Sequence, residues 1–218
     1  MKKAIACVLG LVCVVNAFSQ GVDTDPKAKA ILDKLSAKTK GYSSITASFN
    51  YILDNKKANL KATQKGSVSI KGQKYKLALD EYMILNNGAT AWTYSKETNE
   101  VQIESAAEVS KNGLNPNEIF TIWEKGFKYK YEKETTLNGV KCDIIKLFPK
   151  DTKGKNYHTI VLTINKGKMQ VQQVDVLGKS GEIYSYVVTK FAPNVALTEA
   201  EFNFDKTKYP GVDVIDNR

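Results

Sequence analysis

The residues that most often do chemistry are scarce in this sequence. It has one histidine, His158, and three cysteines, Cys7, Cys13 and Cys142. A thiolate nucleophile with a histidine base would have to pair Cys142 with His158, but nothing in their spacing demands contact, and an exposed strand histidine is the commoner arrangement. One histidine and one cysteine outside the N-terminal segment cannot assemble the usual four-ligand zinc sets. Asp80-Glu81 and Glu132 to Glu134 have no calcium-loop spacing and read as turn or strand-edge charges. Gly66, Gly72, Gly88, Gly113, Gly126, Gly139, Gly167, Gly178 and Gly211 fall as turn punctuation, without a phosphate-cradling loop. Asn115-Pro116 offers a helix start that would attract an anion, yet the apolar residues after it argue for burial. The expectation is therefore a binding or carrier protein without metal or cofactor, rather than an enzyme.

The first residues read as an address. Met1-Lys2-Lys3 is positive, Ala4 to Ala17 is apolar apart from Asn16, and Ala17-Phe18-Ser19 supplies small residues where a signal peptidase reads. Fourteen such residues are too few to span a bilayer, which needs about 20. Residues 1–19 are expected to be a cleaved signal peptide and 20–218 a single domain exported to the periplasm. Cys13 follows Val12 rather than a small residue, and Cys7 lies close after Lys3 rather than at the end of the apolar stretch, so neither fits a lipoprotein signal. Cys142 then stands alone, with no intrachain disulfide open to it.

At 218 residues, 42% hydrophobic and 25% charged, the chain is neither disordered nor a multi-pass membrane protein. Lysine and arginine total 32 against 23 acids, and loss of Lys2 and Lys3 would lower the formal charge from +9 to +7. Arg218 is the only arginine. Arginine is the preferred reader of phosphate and guanine, so this lysine surface reads as solvating, with no nucleic-acid partner and at most a steering role towards anionic membrane or an acidic partner.

The elements follow from periodicity. Asp25 can cap and Pro26 open a helix whose apolar stripe is Ala28, Ile31, Leu32 and Leu35, ending near Gly41. The period then changes to two. Strands are predicted at 45–53, 66–70, 74–80, 82–85, 90–94 and 100–104, an antiparallel meander because the gaps are too short for parallel crossovers. A second, very apolar helix is expected from Asn115-Pro116 to Gly126, carrying Ile119, Phe120, Ile122 and Trp123. Further strands are predicted at 127–132, 142–148, 159–165, 169–177 and 182–191.

Ten or eleven strands are too many for an open flat sheet, so the sheet should curl into an incomplete, half-open β-barrel covered by a helical lid, mainly β with some α. The concave interior would be apolar and suited to hydrophobic ligands. Phe49, Tyr51 and Leu53 share one strand face, as do Tyr75, Leu77 and Leu79, and so do Trp92 and Tyr94. Any one of these reads most simply as core. Together with Ile119, Phe120, Ile122 and Trp123 they exceed what a core requires and form the predicted lining of a lipid-sized cavity.

The order of motifs resembles that of LolA-type periplasmic outer-membrane lipoprotein carriers. It runs from Ile45-Thr46-Ala47-Ser48-Phe49 through Gly66-Ser67-Val68-Ser69-Ile70-Lys71 and Asn87-Gly88-Ala89-Thr90-Ala91-Trp92-Thr93-Tyr94 to Glu201-Phe202-Asn203-Phe204 and Pro210-Gly211-Val212. The resemblance implies a monomeric carrier that takes acylated lipoproteins from an inner-membrane releasing transporter to an outer-membrane acceptor, with no covalent step. One feature departs from it. The family's arginine after the lysine of the G-x-L-x-x-K strand latches the lid, whereas Gly72 follows Lys71 here, leaving packing by Ile119, Ile122 and Trp123, or Lys71 itself, to do that work. A carrier or sensor of another lipid fits the same scaffold. A purely interactive role would instead use a sheet edge or the basic surface.

Overall fold

In the computed structural model, residues 25–112, 121–124 and 126–218 are described. The expected signal segment lies outside them, as do Asn115-Pro116, Ile119 and Phe120. The first helix, α1 (Pro26–Lys40), forms where the sequence places it. The Asp25 carboxylate accepts hydrogen bonds from the N–H groups of Lys27 at 2.8 Å and Ala28 at 3.2 Å, and from Tyr131 N at 2.9 Å. The cap thus fixes the helix start and ties it to the sheet.

The strands are β1 (Ile45–Asn55), β2 (Leu60–Lys71), β3 (Lys74–Leu79), β4 (Tyr82–Asn86), β5 (Thr90–Ser95) and β6 (Glu100–Ser105), followed by β7 (Phe127–Leu137), β8 (Val140–Pro149), β9 (Tyr157–Asn165), β10 (Gln170–Gly178) and β11 (Ile183–Pro193). Each run is a meander, and antiparallel pairing of β1 with β11 joins the two into one sheet. A twelfth strand, β12 (Asp213–Asp216), pairs in parallel with β6, so the sheet is not antiparallel throughout. The chain from 194 to 212 is long enough for that crossover, which the short gaps elsewhere are not. The sheet does not close: β12 and β7 are its two edges, and the architecture is an incomplete barrel.

Cross-strand pairing assigns the faces. Ile45, Ala47, Phe49, Tyr51 and Leu53 stand opposite Ile70, Val68, Gly66, Gln64 and Ala62, and onward through β3 they align with Tyr75, Leu77, Leu79 and then Ile84. The same inner face continues through Tyr184 and Tyr186 to Val174, Val176, Ile160, Leu162, Ile145 and Leu147. Ala28, Leu32 and Leu35 of α1 pack on this last stretch and make the main core. Bulges in β1–β11, β9–β10 and β7–β8 add local twist and bend to the strands that wrap the helix.

One helix goes unpredicted, and one expectation about helices needs correction. A two-turn helix, α2 (Ala106–Asn112), follows β6, with Glu108 N donating to Ser105 Oγ at 3.3 Å. The Ser105-x-x-Glu108 spacing is its signal in the sequence. At the other end of the expected apolar helix, Ile122–Glu124 is a single 3₁₀ turn rather than α-helix.

Candidate functional site

The inner face falls into two halves. Under α1 the side chains are sealed: Ile145, Leu147, Leu162 and Ile164 are 0% exposed. On β1–β4 and β11 the same face carries Tyr51, Leu77, Leu79, Ile84 and Tyr186, all only half-buried, around the buried Phe49, Val68, Ile70 and Tyr75. Among the described residues no helical side chain belongs to this second cluster. The apolar strip is therefore built by alternation in the strands, and α1, which packs over β7–β10, leaves it uncovered.

Aromatic contacts shape the strip. The Tyr51 ring lies 5.3 Å from that of Tyr186 and stacks on Tyr184 at 6.4 Å, and Phe49 tilts against Tyr186 at 5.9 Å. Gly66 makes room for Phe49: a Cβ there would sit 2.4 Å from the ring and 2.8 Å from Leu79 Cδ2. Burial pushes the Tyr186 hydroxyl up to about 12, with Tyr51, Tyr82 and Tyr184 adding to the shift. Tyr51 is raised for the same reasons, burial first and then Tyr82 and Tyr184. Neutral phenols are thus favoured across the strip, which presents apolar rings edged by hydroxyls. Gln64, directly opposite Tyr51, brings one polar discord, since its Oε1 is buried without a hydrogen-bond partner.

Phe49, Tyr51, Leu53, Tyr75, Leu77 and Leu79 share this face, Leu53 half-buried towards the β1–β2 turn. Trp92 and Tyr94 do not, and their placement in the lining is corrected. They pair with Leu85 and Met83 on the outer face, and they pack under the C-terminal segment. Tyr94 meets Phe204 at 5.7 Å and Tyr209 at 4.5 Å. Alternation puts the two residues on one face together, and the register across β4 decides which face that is.

Ile122 and Trp123 are also placed elsewhere. Ile122 packs against the core beneath α1, and Trp123, 3% exposed, donates from Nε1 to Ser36 Oγ on α1 at 2.9 Å. Lys40 of α1 pairs with Glu124 at 2.6 Å. The turn is thus anchored to α1 by packing, a hydrogen bond and an ion pair. Lys71 holds a different segment, donating to the Leu197 carbonyl at 2.9 Å and to Glu199, which also pairs with Lys74. Gly72 occupies a left-handed conformation, φ +59, in the two-residue β2–β3 turn, a position that disfavours an arginine.

Sequence reasoning missed Ile84, Tyr184, Tyr186 and Gln64. The alternation Tyr184, Tyr186, Val188 is visible in the sequence, but only the pairing of β11 with β1 puts it beside Tyr51. A depression of about 560 Å³ at the β1–β3 strands has a mixed lining, polar at Ser48, Asn50, Lys65 and Asp80 and apolar at Phe49 and Leu79. A smaller one of about 290 Å³ lies between the end of α1 and the rim where β1 begins and β2 turns into β3, where Tyr42, Ile45, Ile70 and Thr121 meet.

The Cys142–His158 dyad is ruled out by register. Cys142 pairs with Asn165, seven residues along β9 from His158, a separation of roughly 20 Å at about 3.3 Å per residue. Burial raises the Cys142 thiol pKa, which disfavours the nucleophilic form. No cluster of three or more potential metal ligands occurs among the described residues, and no helix among them is long and apolar enough to cross a membrane.

Comparison with known proteins adds to this geometry. The profile of the family described as outer membrane lipoprotein carrier protein LolA matches residues 16–185. A protein named outer-membrane lipoprotein carrier protein, from Francisella tularensis subsp. tularensis (strain WY96-3418), is 26% identical over 136 residues, covering 56% of this chain and 62% of that protein. The match thus spans about three fifths of the length of such curated relatives. Among solved structures, an uncharacterized conserved protein from Thermus thermophilus superposes with TM-score 0.58 at 13% identity, over 88% of this chain and 99% of that one. A LolA superfamily protein from Nitrosomonas europaea gives TM-score 0.44 at 12% identity, over 81% and 97%.

Proposed function

The chain belongs to the outer membrane lipoprotein carrier protein LolA family, and on that premise we propose that it is a non-enzymatic carrier holding the acyl chains of lipoproteins against the inner face of its sheet. The observation that carries this reading is the half-buried strip of Tyr51, Leu77, Leu79, Ile84 and Tyr186, continuous with the core yet uncovered by α1. Hydrocarbon gains about 0.8 kcal/mol per buried methylene, so a strip shielding most of one long chain offsets on the order of 10 kcal/mol of exposure to water. No bond need be made or broken. In this reading residues 1–19 direct export and are removed, and the carrier crosses the periplasm as a monomer. It is loaded by an inner-membrane transporter and unloaded at an outer-membrane acceptor.

Native mass spectrometry after export into a Gram-negative periplasm tests the reading. The unaltered protein should retain or accept an acylated species, and Leu79→Glu, at a half-exposed position, should lose it while its unfolding midpoint stays within about 1 kcal/mol of wild type. Failure of the unaltered protein to take up any acyl chain would falsify the proposal. The mass of the bound species separates a lipoprotein cargo from another lipid on the same scaffold.

A further inference from the structure

The two ends of the barrel treat their lysines differently. At the end where β1 begins and β9 turns into β10, several lysines are neutralised, Lys40 by Glu124, Lys71 and Lys74 by Glu199, and Lys166 by Glu134, while Lys38, Lys141 and Lys168 have no ion pair among the described residues. The opposite end includes the β1–β2, β8–β9 and β10–β11 turns, brought together by the pairs Asp54 with Ile183 and Gly178 with Tyr157. Over 54–65, 150–156 and 178–182 these segments hold eight lysines and three carboxylates. No ion pair to any of the eight occurs among the described residues. Glu182 contributes little to the surface, its Oε2 being buried. The β3–β4 turn, with Asp80 and Glu81, and the β5–β6 turn, with Lys96 and Glu97, lie at this same end on the other side of β2, where Asp80 accepts from Lys65 N, so the lysine patch is confined to the three turns named.

We propose that this lysine-rich end is a docking surface for an anionic phospholipid bilayer. The charge is spread over three adjoining turns, with the Lys57 side chain 3.3 Å from the place a Cβ of Gly181 would occupy, so it forms a broad patch rather than a pocket. Lysine ammonium groups on flexible stems suit a diffuse field of headgroups better than one fixed carboxylate. Leu60, 49% exposed, is the first residue of β2, at the foot of the β1–β2 turn beside Lys61. An apolar residue among lysines can enter the headgroup region while they meet its charge. A bilayer is favoured over an acidic protein on these two grounds, and docking this way would bring the open end of the tyrosine strip to the membrane.

The test is flotation of the exported protein with phosphatidylglycerol-containing vesicles, against pure phosphatidylcholine vesicles. Wild type should float only with the anionic vesicles, less so as salt is raised. The set Lys56→Glu, Lys57→Glu and Lys61→Glu should cut partitioning by roughly 100-fold or more, at about 1 kcal/mol for each lysine. Lys34→Glu, Lys130→Glu and Lys190→Glu, which change net charge equally at scattered exposed sites, should reduce it far less. The milder set Lys56→Gln, Lys57→Gln and Lys61→Gln should fall between the reversal and wild type. Equal floating with neutral vesicles, no floating, equal loss in the scattered set, or tighter binding to polyglutamate than to vesicles would each overturn the proposal. Acyl-chain uptake in vesicle-free solution should be unchanged in the charge-reversal set, so failure of docking and failure of cargo binding are read separately.

Discussion

Two halves of one sheet face have the same sequence pattern and opposite fates. Ile160, Leu162 and Ile164 alternate along β9 as Phe49, Tyr51 and Leu53 alternate along β1. The first set is sealed under Leu32 and Leu35 of α1, whereas Tyr51 and Leu53 remain half-exposed among tyrosines. The contrast teaches that alternation fixes which way a side chain points, while cover from another element decides whether it becomes core or binding surface. The sealed half supplies stability, and in the proposed reading the half-exposed one offers apolar area to a ligand.

The largest expected difference between the halves is in stability. Leu162→Ala, 0% exposed beneath α1, should cost about 2 to 5 kcal/mol. Leu77→Ala in the open half should cost less than half as much, since water already reaches part of the site and the loss leaves a shallower void. Urea midpoints of the two variants measure this directly. Equal costs would mean that the open half is core after all.

Alkaline titration gives the next effect. Raised pKa values make neutral Tyr51 and Tyr186 in the open half a source of stability that is fully present below the ordinary value near 10. It is lost as pH rises from there towards about 12, the value for Tyr186. A shift of that size corresponds to on the order of 3 kcal/mol. Unfolding midpoints should therefore fall above pH 10 in wild type and fall less in Tyr186→Phe. Bound acyl chain should move phenol absorbance titration higher still, because cargo deepens the burial that causes the shift.

In the sealed half a smaller pH effect has the opposite sign. Burial opposes ionisation of Asp25, but the backbone N–H groups of Tyr131, Ala28 and Lys27 outweigh it and hold its carboxyl below the ordinary 3.8. The stability this gives is present above pH 3.8 and is lost as pH falls through the lower folded value. Asp25→Ala should cost about 1 kcal/mol at neutral pH through the lost cap. Its gap from wild type should close in strong acid. A gap that persists there would place the effect in packing rather than in the charge.

Much of this contrast is legible in the sequence, and the parts that are not share a cause. Period-two runs locate eleven strands because each side chain's face repeats along its own strand. The Asp25-Pro26 start locates α1 because capping is local. Pairing between distant strands leaves no such trace: Tyr184 and Tyr186 join Tyr51 only through the β1–β11 register, and alternation alone puts Trp92 inside although register turns it out. The motifs that carry the family resemblance divide between the faces: Tyr94 and Phe204 clasp each other on the outer face, whereas Phe49, Gly66, Val68 and Ile70 lie on the inner one. The inner strip is completed by less distinctive tyrosines and leucines outside those motifs, among them Tyr51, Leu77, Leu79 and Tyr186.

The smallest expected effect tests whether the open half trades stability for recognition. Gln64 Oε1 is buried without a partner beside Tyr51, an arrangement that costs a desolvated amide about 1 kcal/mol or more. Gln64→Leu removes that cost and adds apolar surface at similar volume, so the variant should be more stable by about 1 kcal/mol. If the strip takes hydrocarbon only, a simple fatty acid should bind the variant at least as tightly as wild type. If instead Gln64 meets a polar group of a larger cargo, a diacylated lipopeptide should bind less tightly while fatty acid affinity holds. The ratio of the two affinities, measured by competition on both proteins, decides between these outcomes, and an unchanged ratio with lower stability would remove Gln64 from the ligand face altogether.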